Sequence, residues 1–145
     1  MLTIDDVAPA WVDASVLSPA EDQVLVEAFW RLLSGSPVLI DDLCAPLGLS
    51  RETMEDILVA LEAKGCLRRL HLAGAVVASR GLMTHPSSHR LTTKLGSVFT
   101  QCAVDAVGIP AALRLEGSVE DQCALCDHQI TASISAAREV SVEPS

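Results

Sequence analysis

The sequence predicts an α+β chain in two parts: an N-terminal three-helix, winged-helix-like module over residues 1–80, then a small mixed α/β, catalytic-type domain with an antiparallel sheet over residues 81–145. Three observations predict it. Capped apolar stripes at helical spacing fill the region before Gly65, a hairpin signal follows them, and the last third carries alternating segments suited to strands.

Residues 18–34 predict the first helix. Ser18 is an N-cap, Pro19 suits the first helical position and Glu21 completes a capping box. Val24, Leu25, Ala28, Phe29, Leu32 and Leu33 then recur at helical spacing, and Gly35 and Pro37 end the run. A short helix is expected over 41–47, broken at Gly48. A third is expected over 51–64, capped by Ser50, striped by Met54, Ile57, Leu58 and Leu61, and stopped by Gly65. The runs CLRRLHL and AVVAS, split at Ala73-Gly74, form the hairpin signal.

Residues 81–94 read as a loop, because Pro86 and two serines interrupt any period. A short helix is expected from about 98 to 106, broken by Gly108 and Pro110. Residues 112–119 and 129–135 alternate as strands, with Ile130, Ala132 and Ile134 on one face. Gly117–Asp121 and Asp127-His128 are the expected turns.

Half the residues are hydrophobic, enough for a real core, but Tyr is absent and Trp11, Phe29, Trp30 and Phe99 are the only aromatics. The core is therefore expected to be aliphatic. Charge is uneven. Residues 1–63 hold twelve acids against two bases, residues 64–94 hold six bases and no acid, and the whole chain carries −9. Such a balance repels nucleic acid at long range, and the basic middle reads as a solvated face. A winged-helix transcriptional regulator fits the order of elements. Against it, the helix that would enter the major groove carries Glu52, Glu55, Asp56 and Glu62; only Arg68 and Arg69 on the hairpin favour DNA. The N-terminus lacks the pattern of a signal peptide and no apolar run is long enough to span a membrane. A cytoplasmic chain with no membrane partner is expected, its five cysteines held as thiols.

Two clusters carry candidate chemistry. In Thr100-Gln101-Cys102-Ala103-Val104-Asp105, a helical conformation puts Cys102 and Asp105 on one face. Unpaired N–H groups at a helix start favour a thiolate, and a carboxyl one turn away can hold or deliver a proton. In Cys123-Ala124-Leu125-Cys126 the C-x-x-C spacing suits either a soft metal or a redox pair. Cys102 or His128 could complete a metal site there. Against both stand bland readings: a cysteine on an apolar helix is commonly a small buried hydrophobe. His85 and His89 read as loop histidines, and Cys44 and Cys66 as core.

The stretch from Gly81 to Leu113 resembles the central signature of the alkylmercury (organomercurial) lyases. The matching residues are Gly81-Leu82, Pro86, His89-Arg90-Leu91, Cys102-Ala103-Val104-Asp105 and Pro110 through Leu113. Cys123 and the closing Val142-Glu143-Pro144 also look like the family's. The resemblance implies a winged-helix-like N-terminal domain and protonolysis of carbon–mercury bonds in mercury resistance. Cys102 would be a mercury-binding thiolate and Asp105 the acid that protonates the departing carbon. It implies no organic cofactor: mercury is substrate and product, and external thiols accept Hg(II). Family members carry a second essential cysteine beyond the region matching Glu143-Pro144, so the chain is expected to be a C-terminally shortened member. Cys123 and Cys126 then become candidates to join Cys102 around a soft metal ion. A non-catalytic Hg, Cu or Zn binder on the same scaffold is the alternative. Loss of terminal strands would uncover a sheet edge and favour a homodimer.

Overall fold

The computed structural model describes residues 17–70, 74–123, 125–137 and 139–144; Trp11 and Ala73 lie outside them. The chain is α+β, with four helices and one eight-stranded sheet among the described residues.

Helix α1 (Pro19–Leu32) begins as its sequence dictates. The Ser18 hydroxyl accepts the Glu21 N–H and the Glu21 carboxylate accepts the Ser18 N–H at 2.7 Å, a complete capping box. Val24, Leu25, Ala28 and Leu32 are the buried face. Helix α2 (Ile40–Leu47) ends at Gly48 in the left-handed conformation, and α3 (Arg51–Ala63) is capped by Ser50 and buries Met54, Leu58 and Leu61.

The strands are β1 (Leu67–Arg69), β2 (Val76–Ser79), β3 (Leu82–Met83), β4 (Arg90–Thr93), β5 (Gly96–Thr100), β6 (Gly117–Gln122), β7 (Gln129–Ile134) and β8 (Val140–Pro144), with helix α4 (Ala103–Leu113) between β5 and β6. They pair antiparallel throughout in the order β1-β2-β3-β5-β4-β6-β7-β8. The β2–β3 pairing carries the sheet across residues 79–82 without a break.

Four expectations need correction. The supposed loop 81–94 contains β3 and the start of a β4–β5 hairpin; Pro86 and the serines do occupy the connection, but the flanking residues pair. Residues 96–100 are strand, so the helix starts at Ala103. It runs through Gly108 and Pro110 to Leu113, with Ala106 and Pro110 buried. Tertiary burial of that face outweighs the hydrogen bond lost at proline. Consequently residues 112–116 are not strand. Gly117–Asp121 is strand rather than turn, since its alternation pairs with both β4 and β7.

One aliphatic cluster joins helices and sheet, including Leu25, Leu32, Leu43, Leu58, Leu61, Leu82, Leu91 and Val98. Phe29 packs on its margin, edge-on to the half-exposed Trp30. Cys44 and Cys66 are partly buried against the same cluster.

The hairpin arginines are not equivalent. Arg69 is turned to the helices, pairing with Glu55 and Glu62 of α3 while its side chain is only 11% exposed. Burial alone would ease its proton off, but hydrogen bonds to both carboxylates outweigh that and raise its pKa. Among the described residues no helix is long and apolar enough to cross a membrane.

Candidate active site

Cys102 stands at the junction of β5 and α4. Its backbone is extended (φ −150°, ψ 167°), which makes it the N-cap of α4, and Asp105 occupies the third helical position. A thiol thus does what serine or aspartate does at ordinary helix starts. Its Sγ accepts the Asp105 N–H at 3.4 Å, and the S–H reaches the Asp105 Oδ2 at 3.1 Å. The expected shared face is therefore a reciprocal cap-to-third-residue contact, not a pair inside a helix.

Three interactions hold this corner. Thr100, fully buried, donates its hydroxyl to the Cys102 carbonyl at 3.0 Å. The Gln101 N–H donates to the Gly81 carbonyl at 2.7 Å. Gly81 itself has φ +85°, and a Cβ built there would lie 2.6 Å from the Asp105 Cγ. Only glycine tolerates both the conformation and the approach. Cys102 is exposed and Asp105 half-buried. A small cleft of about 90 Å³ is lined among others by Gly81, Gln101 and Cys66, with neither Cys102 nor Asp105 in its lining.

The C-x-x-C cysteines form a second pair in the β6–β7 turn. The Cys123 N–H donates to the His128 carbonyl and the Asp127 N–H to the Cys123 carbonyl, both at 2.9 Å; Asp127 is left-handed (φ 56°). This is the turn expected at Asp127-His128. The Cys123 sulfur receives the N–H of Leu125, the thiol of Cys126 and the N–H of Cys126. Together they hold its pKa below the ordinary thiol value, against partial burial and the charge of Asp121. Cys126 is exposed.

All five cysteines are free thiols. Among the described residues no three His, Cys, Asp or Glu side chains are grouped to hold a metal ion. Cys102, Cys123 and Cys126 are thus two pairs, Cys102 with Asp105 and Cys123 with Cys126, not one three-sulfur set. His128 supplies its carbonyl to the turn, and His85 is exposed. The His89 Nδ1 lies 2.9 Å from the Asp121 Oδ1, close enough for charge pairing but not aligned as a hydrogen bond.

Sequence reasoning missed the parts played by Gly81 and Thr100. The Arg80-Gly81 dipeptide after a strand is a turn signal, but nothing in the sequence says which side chain the glycine faces.

Residues 82–145 match the family model of MerB, alkylmercury lyase. Among solved structures, one described as the mercury-bound form of MerB2 superposes with a TM-score of 0.78 at 16% identity, over 93% of this chain. The chain spans 64% of the length of that structure. At such identity the likeness is one of fold. No curated protein matches the sequence.

Proposed function

We propose that this chain cleaves carbon–mercury bonds, with Cys102 taking the mercury and Asp105 moving the proton; the match of residues 82–145 to the alkylmercury lyase family model supports the reading. The observation that carries the reading is the 3.1 Å approach of the Cys102 thiol to the Asp105 carboxylate.

The chemistry follows from that contact. An organomercurial cation arrives on an external thiolate. Mercury is soft and exchanges onto the Cys102 sulfur; the S–H proton passes to Asp105 Oδ2, and the displaced thiolate leaves. The sulfur pushes electron density toward the Hg–C bond, and the carbon becomes basic enough to take the proton back from Asp105. The Hg–C bond breaks, R–H departs, the carboxylate is restored, and Hg(II) remains on sulfur until thiols carry it off. Every proton is supplied by the pair itself, so no organic cofactor is required. The reducing cytoplasm, where such external thiols are abundant, is the compartment this reading calls for.

Methylmercury supplied with excess thiol tests the proposal. Methane should be released by the native chain and not by Cys102→Ala. No methane from methyl-, ethyl- or phenylmercury would sink it for this chain.

A second reading, a soft-metal binder without turnover, rests on the exposed free thiols of Cys102 and Cys126 and the half-buried thiol of Cys123. It predicts stoichiometric mercury uptake that survives Asp105→Ala, with no hydrocarbon formed. A DNA-binding role draws little support from Arg69, whose charge is spent on Glu55 and Glu62.

A further inference from the structure

The sheet order puts β4 between β5 and β6, antiparallel to each, so β5 and β6 run the same way and end at the same end of the sheet. Arg90 at the start of β4 is level with both Phe99 and Glu120. Cys102 follows β5 and Cys123 follows β6. The two thiol pairs therefore crown one sheet end, two strand spacings apart, roughly 10 Å. Among the described residues no three ligating side chains are grouped around one ion. A backbone separation of two strand spacings is close enough for an ion to be passed from one pair to the other.

We propose that Cys123 and Cys126 form a self-contained dithiol site for Hg(II), separate from the Cys102–Asp105 pair and placed to receive the ion that pair produces. The role as receiver rests on the lyase reading; the binding itself does not. Four features make the turn suitable. Its backbone is pinned by the Cys123–His128 and Cys123–Asp127 hydrogen bonds. Cys123 and Cys126 are both free thiols three residues apart in the same turn. The outer half of the turn is open, Leu125 being 96% exposed and Cys126 exposed, so the Cys126 side chain can swing out to the spacing a bridging ion needs. Asp121 and Asp127 add negative charge near the turn, which suits a cation.

The exchange balances. Hg(II) carried on two monothiolates forms two new bonds, to Cys123 Sγ and Cys126 Sγ, as its two original Hg–S bonds break. The two cysteine protons leave on the departing thiols, and no oxidant or reductant is involved. Once the first bond forms, the second closes within the chain, where effective concentrations reach the millimolar range. A dithiol therefore keeps mercury under competing monothiol that strips isolated cysteines.

The test starts from Cys102→Ala, which removes the first site while leaving Cys44 and Cys66 as internal controls. Hg(II) is supplied as its 2-mercaptoethanol complex, and mercury retained after desalting in excess 2-mercaptoethanol is measured. We expect about one equivalent retained, and at least a tenfold fall when Cys126→Ser or Cys123→Ser is added, consistent with the loss of chelation. Cys126 is exposed, so its isosteric replacement does not put folding at stake. Equal retention with and without Cys123 and Cys126 overturns the proposal. Methane release by the native chain is followed separately: its absence removes the lyase reading and the receiver role with it, while the retention result alone decides whether the dithiol site exists.

Discussion

The backbone of Gly81 lies flat against the carboxyl group of Asp105: a Cβ at position 81 would come within 2.6 Å of Cγ and within 2.9 Å of both oxygens. The carboxylate is thereby backed on one side by a turn and drawn on the other toward the Cys102 thiol. Gly81→Ala attacks both features. The left-handed backbone costs an alanine about 1 kcal/mol, and the methyl group pushes Asp105 off its position. We expect a folded protein with a melting temperature lower by a few degrees and hydrocarbon release reduced at least tenfold, while alkylation of the exposed Cys102 thiol continues. Native stability and native turnover in this variant would show that position 81 does not set the carboxyl.

Asp105→Asn separates capture from cleavage. The amide keeps the size of the side chain and leaves the residue-105 N–H free to cap the sulfur, but holds no transferable acidic proton. Mercury uptake by Cys102 should persist, while hydrocarbon release falls by roughly 10²–10⁴, the usual contribution of a positioned acid or base. Single-turnover assays with methylmercury separate the two steps. Unimpaired methane release would transfer the proton donation elsewhere.

The helical third of the chain was legible because its signals are local. Ser18, Pro19 and Glu21 specify the start of α1 within four residues, and Ser50 and Gly48 bracket their turn in the same way. The sheet was legible in part: the β1–β2 hairpin and β7 carry local signals, while β5 and most of β6 do not. β3 has two residues, too few to show alternation, and exists because β2 and β5 flank it. Pro110 and Gly108 signal a break that burial of α4 overrides. At the site, the Cys102–Asp105 spacing was readable. That Cys102 would be a cap, and that Gly81 would press on Asp105 from more than twenty residues away, depends on the β3–β5 pairing, which no local pattern encodes. How Cys102 stands to Cys123 and Cys126 was not readable for the same reason: strand β4 lies between β5 and β6, and that order depends on long-range pairing.

Arg69 ties the hairpin to α3, and its removal should be felt in stability, not in nucleic-acid affinity. Glu55 is nearly half exposed, so its share is screened; the contact to the more buried Glu62 carries most of the effect. Arg69→Ala leaves both carboxylates beside an apolar gap, a loss of about 1–3 kcal/mol. Urea unfolding measures it. A midpoint unchanged from native would mean that the pairing contributes nothing net.

Glu21 links acid stability to the start of α1. Its carboxylate accepts from the Lys64 ammonium at 2.6 Å and from the Ser18 N–H at 2.7 Å. The Lys64 hydrogen bond first, then the Ser18 N–H, lower its pKa below the ordinary 4.5 despite burial. A carboxyl whose folded value lies below its unfolded value contributes stability that is fully present above about 4.5 and is lost as pH falls through the folded value. Glu21→Gln cannot ionise, so its deficit against the native chain should be largest near neutrality and should shrink steadily once pH drops below that point. Lys64→Met should lose part of the same pH dependence, keeping the share owed to the Ser18 N–H. Urea midpoints of the three proteins at neutral pH and at about pH 3 compare these terms. A native-to-Gln difference that stays constant across that range would mean the carboxylate's charge has no part in holding α1 to Lys64.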